Sequence, residues 1–338
     1  MSETITVVLD AMGGDNAPQA PVEGAVRAIR ERKDIKVILT GDQTKIQEEL
    51  ARLGDYPKDQ LQIVHTTEVI ETAEPPVNAI RNKKDSSIVV GLNLVKQKEA
   101  DAFVSSGSTG AVLVGGTILV GRIRGVERAP IAVMIPTKKG VSLLIDGGAN
   151  VDARPSQLVQ FAQMGSMYME NALGIASPKV GIVNNGSEDD KGNALVKDTF
   201  PLLKETRELN FIGSVEPRDI PFGVCDVIVC DAFVGNAILK MYEGTAAALL
   251  DIIKGSLTSS LRAKIGALLI KPALKSTLKT FDATQYGGAP LLGIKGLVVK
   301  THGSAKAGEI HNAILQCVQF RQHDIARKIE ERLGVSKG

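Results

Sequence analysis

Short apolar runs, each closed by small or polar residues and often followed by a stretch of helical periodicity, recur along almost the whole 338-residue chain. The runs fall at residues 4–9, 37–39, 61–64, 102–104, 130–135, 141–145, 180–183, 211–212, 227–229 and 297–299. Between them, residues 156–173 and 194–207 carry apolar side chains at helical spacing. Strands separated by helices pair in parallel, because the chain needs a crossover to re-enter the sheet in the same direction. The pattern therefore predicts an α/β fold, a mainly parallel sheet flanked by helices. Residues 130–135 and 141–145, separated by Pro136-Thr137-Lys138-Lys139-Gly140, read instead as a hairpin added to that sheet. No repeat, low-complexity stretch or linker breaks the chain, so residues 1–338 are read as one α/β unit, any second lobe being interwoven with the first.

The strand ends carry the chemical signal. They are Asp10-Ala11-Met12-Gly13-Gly14-Asp15-Asn16-Ala17-Pro18, Gly41-Asp42, Ser105-Ser106-Gly107-Ser108-Thr109-Gly110, Asp146-Gly147-Gly148-Ala149-Asn150, Asn184-Asn185-Gly186, Asp231 and His302-Gly303-Ser304. In open α/β sheets ligands bind outside the carboxyl ends of strands. Glycine lets backbone N–H groups approach an anion closely, and serine, threonine and asparagine add donors. Pro18 suits the first turn of a helix. Turns alone supply some glycine and asparagine, but their recurrence at successive strand ends points to a site for a phosphate-bearing ligand.

Several function classes are excluded or disfavoured. Hydrophobic content of 43%, charged content of 23% and a net charge of +2 describe a soluble globular chain with no electrostatic footprint for nucleic acid. The N-terminus runs straight into a strand without a signal-peptide pattern, and no window approaches the ~18 apolar residues of a membrane span. Cys225, Cys230 and Cys317 form neither a C-x-x-C pair nor a disulfide framework. They read as reduced packing residues of a cytoplasmic protein. No G-x-G-x-x-G follows a strand, and Gly288-Ala289-Pro290-Leu291-Leu292-Gly293 continues with Ile294-Lys295, not the Lys-Ser/Thr of a Walker loop. The histidines show no metal-ligand spacing, so neither metal nor cofactor is expected.

Taken in order, residues 10–18, 105–111, 146–150 with 155–168, 186–193, 226–244 and 286–304 resemble the bacterial phosphate acyltransferase family, the acyl-carrier-protein:phosphate transacylases of phospholipid synthesis. The resemblance implies a fold similar to that of phosphotransacetylases and isocitrate/isopropylmalate dehydrogenases. It also implies a homodimer that makes acyl phosphate from acyl-carrier protein and inorganic phosphate. That product passes to a membrane glycerol-3-phosphate acyltransferase. A phosphotransacetylase using a coenzyme A thioester is the nearest alternative; a nicotinamide-dependent dehydrogenase and a membrane-associated scaffold are more distant ones. The chain departs from the family pattern at Asn16 (usually His), Ser108 (usually Asn), Ala232 (usually Gly), Ser214 and Pro217.

Phosphate is partly dianionic near neutral pH and attacks a thioester without an enzyme nucleophile, so such an enzyme mainly holds two reactants and stabilises an oxyanion. Lys191, on the loop Gly186-Ser187-Glu188-Asp189-Asp190-Lys191-Gly192-Asn193, is the first catalytic candidate; a solvated lysine balancing the three acids is the alternative. Asn236, expected at a helix start, is the second, with an N-cap as its alternative role. Gly13, Gly14, Ser105, Ser108, Thr109, Gly110, Asn150, Arg154, Asn185 and His302 are candidate phosphate or substrate contacts. Asp10, Asp15 and Asp231 would repel phosphate directly and are read as orienting N–H groups and lysine from behind. Cys230 is a weak candidate nucleophile, because the adjacent carboxylate raises its pKa.

Two further expectations concern surfaces. In residues 253–280, Leu257, Leu261, Ile265, Leu268 and Leu269 recur on one helical face. Pro272 is expected to end a first helix, and Lys271, Lys275 and Lys279 form a basic cluster. The segment reads as a projecting helical hairpin, either packed on a dimer mate or touching anionic membrane. The apolar helix at 237–253 is the candidate two-fold interface. The C-terminal stripe Ile310, Ile314, Cys317, Ile325 and Ile329 is expected to pack as core.

Overall fold

The computed structural model describes residues 4–188, 191–280 and 283–334. The chain begins β1 (Ile5–Asp10), α1 (Gln19–Glu31), β2 (Ile35–Gly41), α2 (Gln43–Leu53), β3 (Leu61–His65), α3 (Pro76–Asn82) and α4 (Ser87–Lys96). It continues β4 (Ala102–Ser105), α5 (Thr109–Gly115), β5 (Ala132–Thr137), β6 (Gly140–Ile145), α6 (Pro155–Leu173), β7 (Lys179–Val183) and α7 (Ala194–Glu205). It closes β8 (Asn210–Val215), β9 (Val227–Val229), α8 (Ala232–Thr258), α9 (Leu261–Thr280), β10 (Ala289–Pro290), β11 (Leu297–Lys300), α10 (Ala307–Gln322) and α11 (Ile325–Leu333).

The strands form two sheets, where the alternation of apolar runs predicted one. Unit one comprises Met1–Val133, Gln163–Ser177 and Thr284–Gly338; unit two comprises Met134–Ala162 and Pro178–Ala283. Alternation dictates parallel pairing but is silent on which strands share a sheet, which is why the division was not legible. In unit one the order is β10-β11-β4-β1-β2-β3, parallel except for β10, which runs antiparallel to β11. β10 is two residues long and ends in proline, so it has no periodicity to detect. Val7, Val8 and Leu9 of β1 are fully buried on both alternating sides, the continuous apolar run of a covered parallel strand.

In unit two the order is β5-β6-β9-β7-β8, with β6, β9, β7 and β8 mutually parallel. β5 lies beside β6 and joins it through Lys138 and Lys139, the added hairpin the sequence predicts. Three local expectations need correction. α8 begins at Ala232, with Asp231 as its N-cap accepting from Val234 N at 2.9 Å, so Asn236 neither starts nor caps the helix. Pro272 does not end a helix: α9 runs through it, and the break falls at Ser259-Ser260, where the Ser260 hydroxyl accepts from Ala263 N at 3.1 Å. An exposed helix tolerates a proline because water satisfies the carbonyl left without a donor. The C-terminal stripe is split by Asp324 at φ +50° into α10 and α11, although all of its members are buried.

Candidate functional site

Unit one gathers its strand-end loops around a cavity of about 540 Å³. The loop after β1 supplies Met12, Gly13, Gly14 and Asp15; that after β4 supplies Ser106, Gly107, Ser108 and Thr109. Lys300 and Gly303 come from the end of β11, Lys45 from α2, and residues 69–72 from the segment after β3. The walls hold their shape because the loops bond to one another. Asp10, 1% exposed, accepts from the Ser105 hydroxyl at 2.6 Å and from Met12 N at 3.1 Å, while Ser105 Oγ accepts from Gly107 N at 2.9 Å. Burial pushes the Asp10 carboxyl above its ordinary value, partly offset by the hydrogen bond from Ser105. Ser106 and Thr301 share a hydroxyl–hydroxyl bond at 2.7 Å.

Glycine is required twice in the first loop. A Cβ on Gly13 would lie 2.3 Å from Asp10 Oδ2 and 2.6 Å from Gly107 N. Gly14 has φ +94°, and a Cβ there would meet Gly303 O at 2.8 Å. The first and last loops are tied directly: Asp15 N donates to Gly303 O at 2.8 Å, and the Asn16 amide donates to the carbonyls of Ser304 and Ala305 at 3.0 and 3.2 Å. Asn16 therefore serves as a brace, a task for an amide that needs no imidazole.

Unit two has a second cavity, of about 320 Å³, at the carboxyl ends of β7 and β9. Asn184, Asn185, Gly192, Asn193, Cys230 and Asp231 contribute to it together with aliphatic residues. Asn184, 4% exposed, donates to Ser214 Oγ at 2.9 Å and to the Lys191 carbonyl at 3.3 Å, which fixes the base of the Lys191 loop. Ser214, one of the departures from the family pattern, thus has a definite role. The Lys191 side chain is exposed, and Asp189 and Asp190 lie outside the described residues.

The structure separates the predicted residues into groups. Gly13, Gly14, Asp15, Ser108 and Thr109 line the unit-one cavity. Ser105 and Asp10 lie behind it, and Gly110 faces the Pro76 ring, 2.4 Å from where its Cβ would be. His302 is exposed beside the cavity, its Nδ1 accepting from Ser304 N at 3.3 Å. Asn185 and Asp231 line the unit-two cavity, whereas the exposed Asn236 and Arg154 do not. Asn150 donates its amide to Asp146 at 2.7 Å and its carbonyl accepts from Ala232 N at 3.0 Å, so it anchors the loop.

Four charged residues, Lys45, Lys300, Glu71 and Asp146, lie outside the candidates that the sequence offered. Lys45 and Lys300 bring cations to the unit-one cavity, while Asp15 and Glu71 bring carboxylates. Lys300 directly precedes Thr301-His302-Gly303, a signal that was available; Lys45, inside a helix, offered none. Asp146, fully buried, accepts from the backbone of Gly148, Ala149 and Asn150 at 2.8–3.0 Å and shapes that loop. Cys230 is not an activated nucleophile: burial, with Asp146 and Asp231 nearby, raises its thiol well above the ordinary value. Among the described residues no group of His, Cys, Asp and Glu is arranged to hold a metal.

Residues 5–328 match the model of a family described as fatty acid synthesis protein. A phosphate acyltransferase of Clostridium perfringens is 48% identical over 327 residues, spanning 97% of this chain and 96% of its own. A phosphate acyltransferase of Alkaliphilus oremlandii is 49% identical over 330 residues, spanning 98% and 97%. Among solved structures, a phosphotransacetylase from Streptococcus pyogenes superposes with a TM-score of 0.61 at 16% identity, over 95% of each chain. A branched-chain phosphotransacylase from Enterococcus faecalis gives 0.55 at 15% identity, over 93% of this chain and 98% of that one. At such identities the likeness is one of fold.

Proposed function

The chain belongs to the fatty acid synthesis protein family, as an acyltransferase among phosphate acyltransferases, and from that premise we propose that it transfers a long-chain fatty acyl group from acyl-carrier protein to inorganic phosphate. The product is an acyl phosphate for phosphatidic acid synthesis. The observation that carries this reading is the unit-one cavity. It sets Lys45 and Lys300 among glycine-rich loops and the residues Ser108 and Thr109. Loop amides and two cations suit a phosphate dianion. The carboxylates of Asp15 and Glu71 limit how much negative charge the cavity accepts.

In the reaction, a phosphate oxygen attacks the thioester carbonyl, a tetrahedral oxyanion forms, and the carrier thiolate departs. Lys191 and Asn236 are assigned to stabilising that charge, a contribution that for a single oxyanion donor is worth on the order of 100- to 1,000-fold in turnover. The Asp10–Ser105–Gly107 bonds hold the loop amides in place. No chemistry requires an enzyme nucleophile.

The chain acts as a homodimer in the cytoplasm, and the 253–280 tip makes weak, reversible contact with anionic membrane. There a membrane glycerol-3-phosphate acyltransferase consumes the product. Leu261, Ile265, Leu268 and Leu269 are 76%, 56%, 69% and 77% exposed, an apolar surface that supports this reading. No described helix is long and apolar enough to cross a membrane. The deciding assay incubates purified protein with palmitoyl acyl-carrier protein and phosphate and measures acid-labile acyl phosphate. Formation only from acetyl-coenzyme A would replace this reading with a phosphotransacetylase-type activity.

A further inference from the structure

The unit-two cavity differs in chemistry from that of unit one. Its wall is aliphatic, built from Leu158 of α6, Ile182 and Val183 at the end of β7, Leu195 and Val196 of α7, and Val234 of α8. Leu158 and Ile182 are 1% and 0% exposed, so this wall is backed by core and is not a surface dimple. Among the described residues no lysine, arginine, histidine or aromatic ring lines it. Three of its polar members are already engaged by the protein. Asn193 Oδ1 accepts from Val196 N at 2.9 Å, and Asp231 Oδ1 accepts from Val234 N at 2.9 Å. Asn184 is tied to Ser214 and to the Lys191 carbonyl.

These facts select the ligand. A phosphate would meet the Asp231 carboxylate with no lining cation to offset it. A nucleobase would find no ring or guanidinium to stack on. A slender saturated chain needs neither, and its methylenes gain by leaving water. At about 320 Å³ the space lies at the small end of ligand pockets, roughly 300–1,000 Å³. Asn185 and Asn193 are exposed while Ile182 and Leu158 are not, so the rim is polar and the depth apolar. Gly192 and Asn193 sit on that wall directly after Lys191, so a chain inserted here leaves its thioester end at the Lys191 loop.

We infer that the unit-two cavity seats the fatty acyl chain, with Val196 on its wall as a determinant of acyl-chain length. The inference rests on the acyl-transfer reading proposed above. Val196 lies on α7, is half-buried and lines the cavity, so a larger side chain at this position alters the space that a chain can occupy.

Two measurements on the full-length protein test it. In the first, Val196→Phe, and the milder Val196→Leu if the larger side chain prevents folding, are assayed with C8 and C16 acyl-carrier proteins. The ratio of kcat/KM for C16 to that for C8 is expected to fall at least tenfold in Val196→Phe, and in the same direction in Val196→Leu. In the second, the fluorescent fatty acid cis-parinaric acid is titrated and displaced with palmitate, a readout independent of turnover. Its Kd is expected to rise at least tenfold in the variant, with the thermal midpoint within a few degrees of the parent. An unchanged chain-length ratio, or unchanged parinarate affinity, overturns the inference. If the parent makes no acyl phosphate from any carrier-bound substrate, the acyl-transfer reading falls, and the parinarate titration alone decides what the cavity holds.

Discussion

Asp10 is the clearest case of a residue whose surroundings set its chemistry. It is buried without a cationic partner and is held by the Ser105 hydroxyl and Met12 N. Burial raises its pKa. A carboxyl group whose folded-state pKa lies above the unfolded value contributes most to stability below the unfolded value, and loses that contribution as pH rises through the folded value. The stability of the parent relative to Asp10→Asn should therefore decline as pH is raised from about 4, as followed by urea unfolding. A pH-independent difference would contradict the assignment. Asp10→Ala, which also removes the acceptor for Ser105 and Met12 N, should cost about 1–3 kcal/mol more than the amide variant. Lys191 is the contrasting residue, exposed on a loop. Lys191→Ala should lose roughly two to three orders of magnitude in kcat with the thermal midpoint unchanged. A near-parental rate would remove Lys191 from the mechanism.

Among the elements, the helix starts explain why so many strand ends carry aspartate, serine or asparagine. Asp42, Ser108, Asn193 and Asp231 each accept a backbone N–H from the first turn of the helix that follows. Part of the pattern that suggests an anion site is thus capping, worth about 1 kcal/mol per helix. The α8–α9 pair behaves differently, because its outer residues bury little. Leu257 is half-buried, whereas Leu261 through Ile265 to Leu269 is exposed, with Arg262, Lys264, Lys271 and Lys275 also exposed. Lys279, the remaining member of the basic cluster, has a side chain outside the described residues. Partial insertion of aliphatic groups, each worth up to about 1.5–3 kcal/mol when fully buried, gives weak attachment. The Leu261→Glu, Ile265→Glu double variant should leave anionic vesicles in a co-sedimentation assay while acyl phosphate synthesis in solution persists. Unchanged co-sedimentation would refute a membrane tip and leave the basic residues for an acidic carrier protein.

For the molecule as a whole, the exposed apolar surface of α8 bears on assembly. Met241, Leu249 and Ile252 of α8 are 72%, 54% and 64% exposed, and an exposed apolar surface of this kind marks an interaction site. A homodimer covering α8 is expected, seen by light scattering at micromolar concentration, and a monomer under those conditions would count against it. Cys225, Cys230 and Cys317 are free and buried, and burial pushes the Cys225 thiol up to about 12.

The sequence by itself determined ten of the eleven strands, their mainly parallel pairing, the β5–β6 hairpin and the loops Gly13-Gly14 and Ser108-Thr109. Each is written in a local period or in a residue type that a strand end demands. It also pointed to Asp10, which the structure buries against Ser105. Tertiary structure alone decided that the strands divide into two sheets, because pairing partners lie far apart in sequence and apolar periodicity is the same in either sheet. Only tertiary structure brought Lys45 from inside α2 to the unit-one cavity, and turned Asn16 into a brace on Ser304 and Ala305. It likewise moved the helix break from Pro272 to Ser259-Ser260, because the residue that stops a helix depends on what surrounds it. Propensity is a property of the residue; which carbonyl, cation or sheet stands opposite is a property of the packed chain.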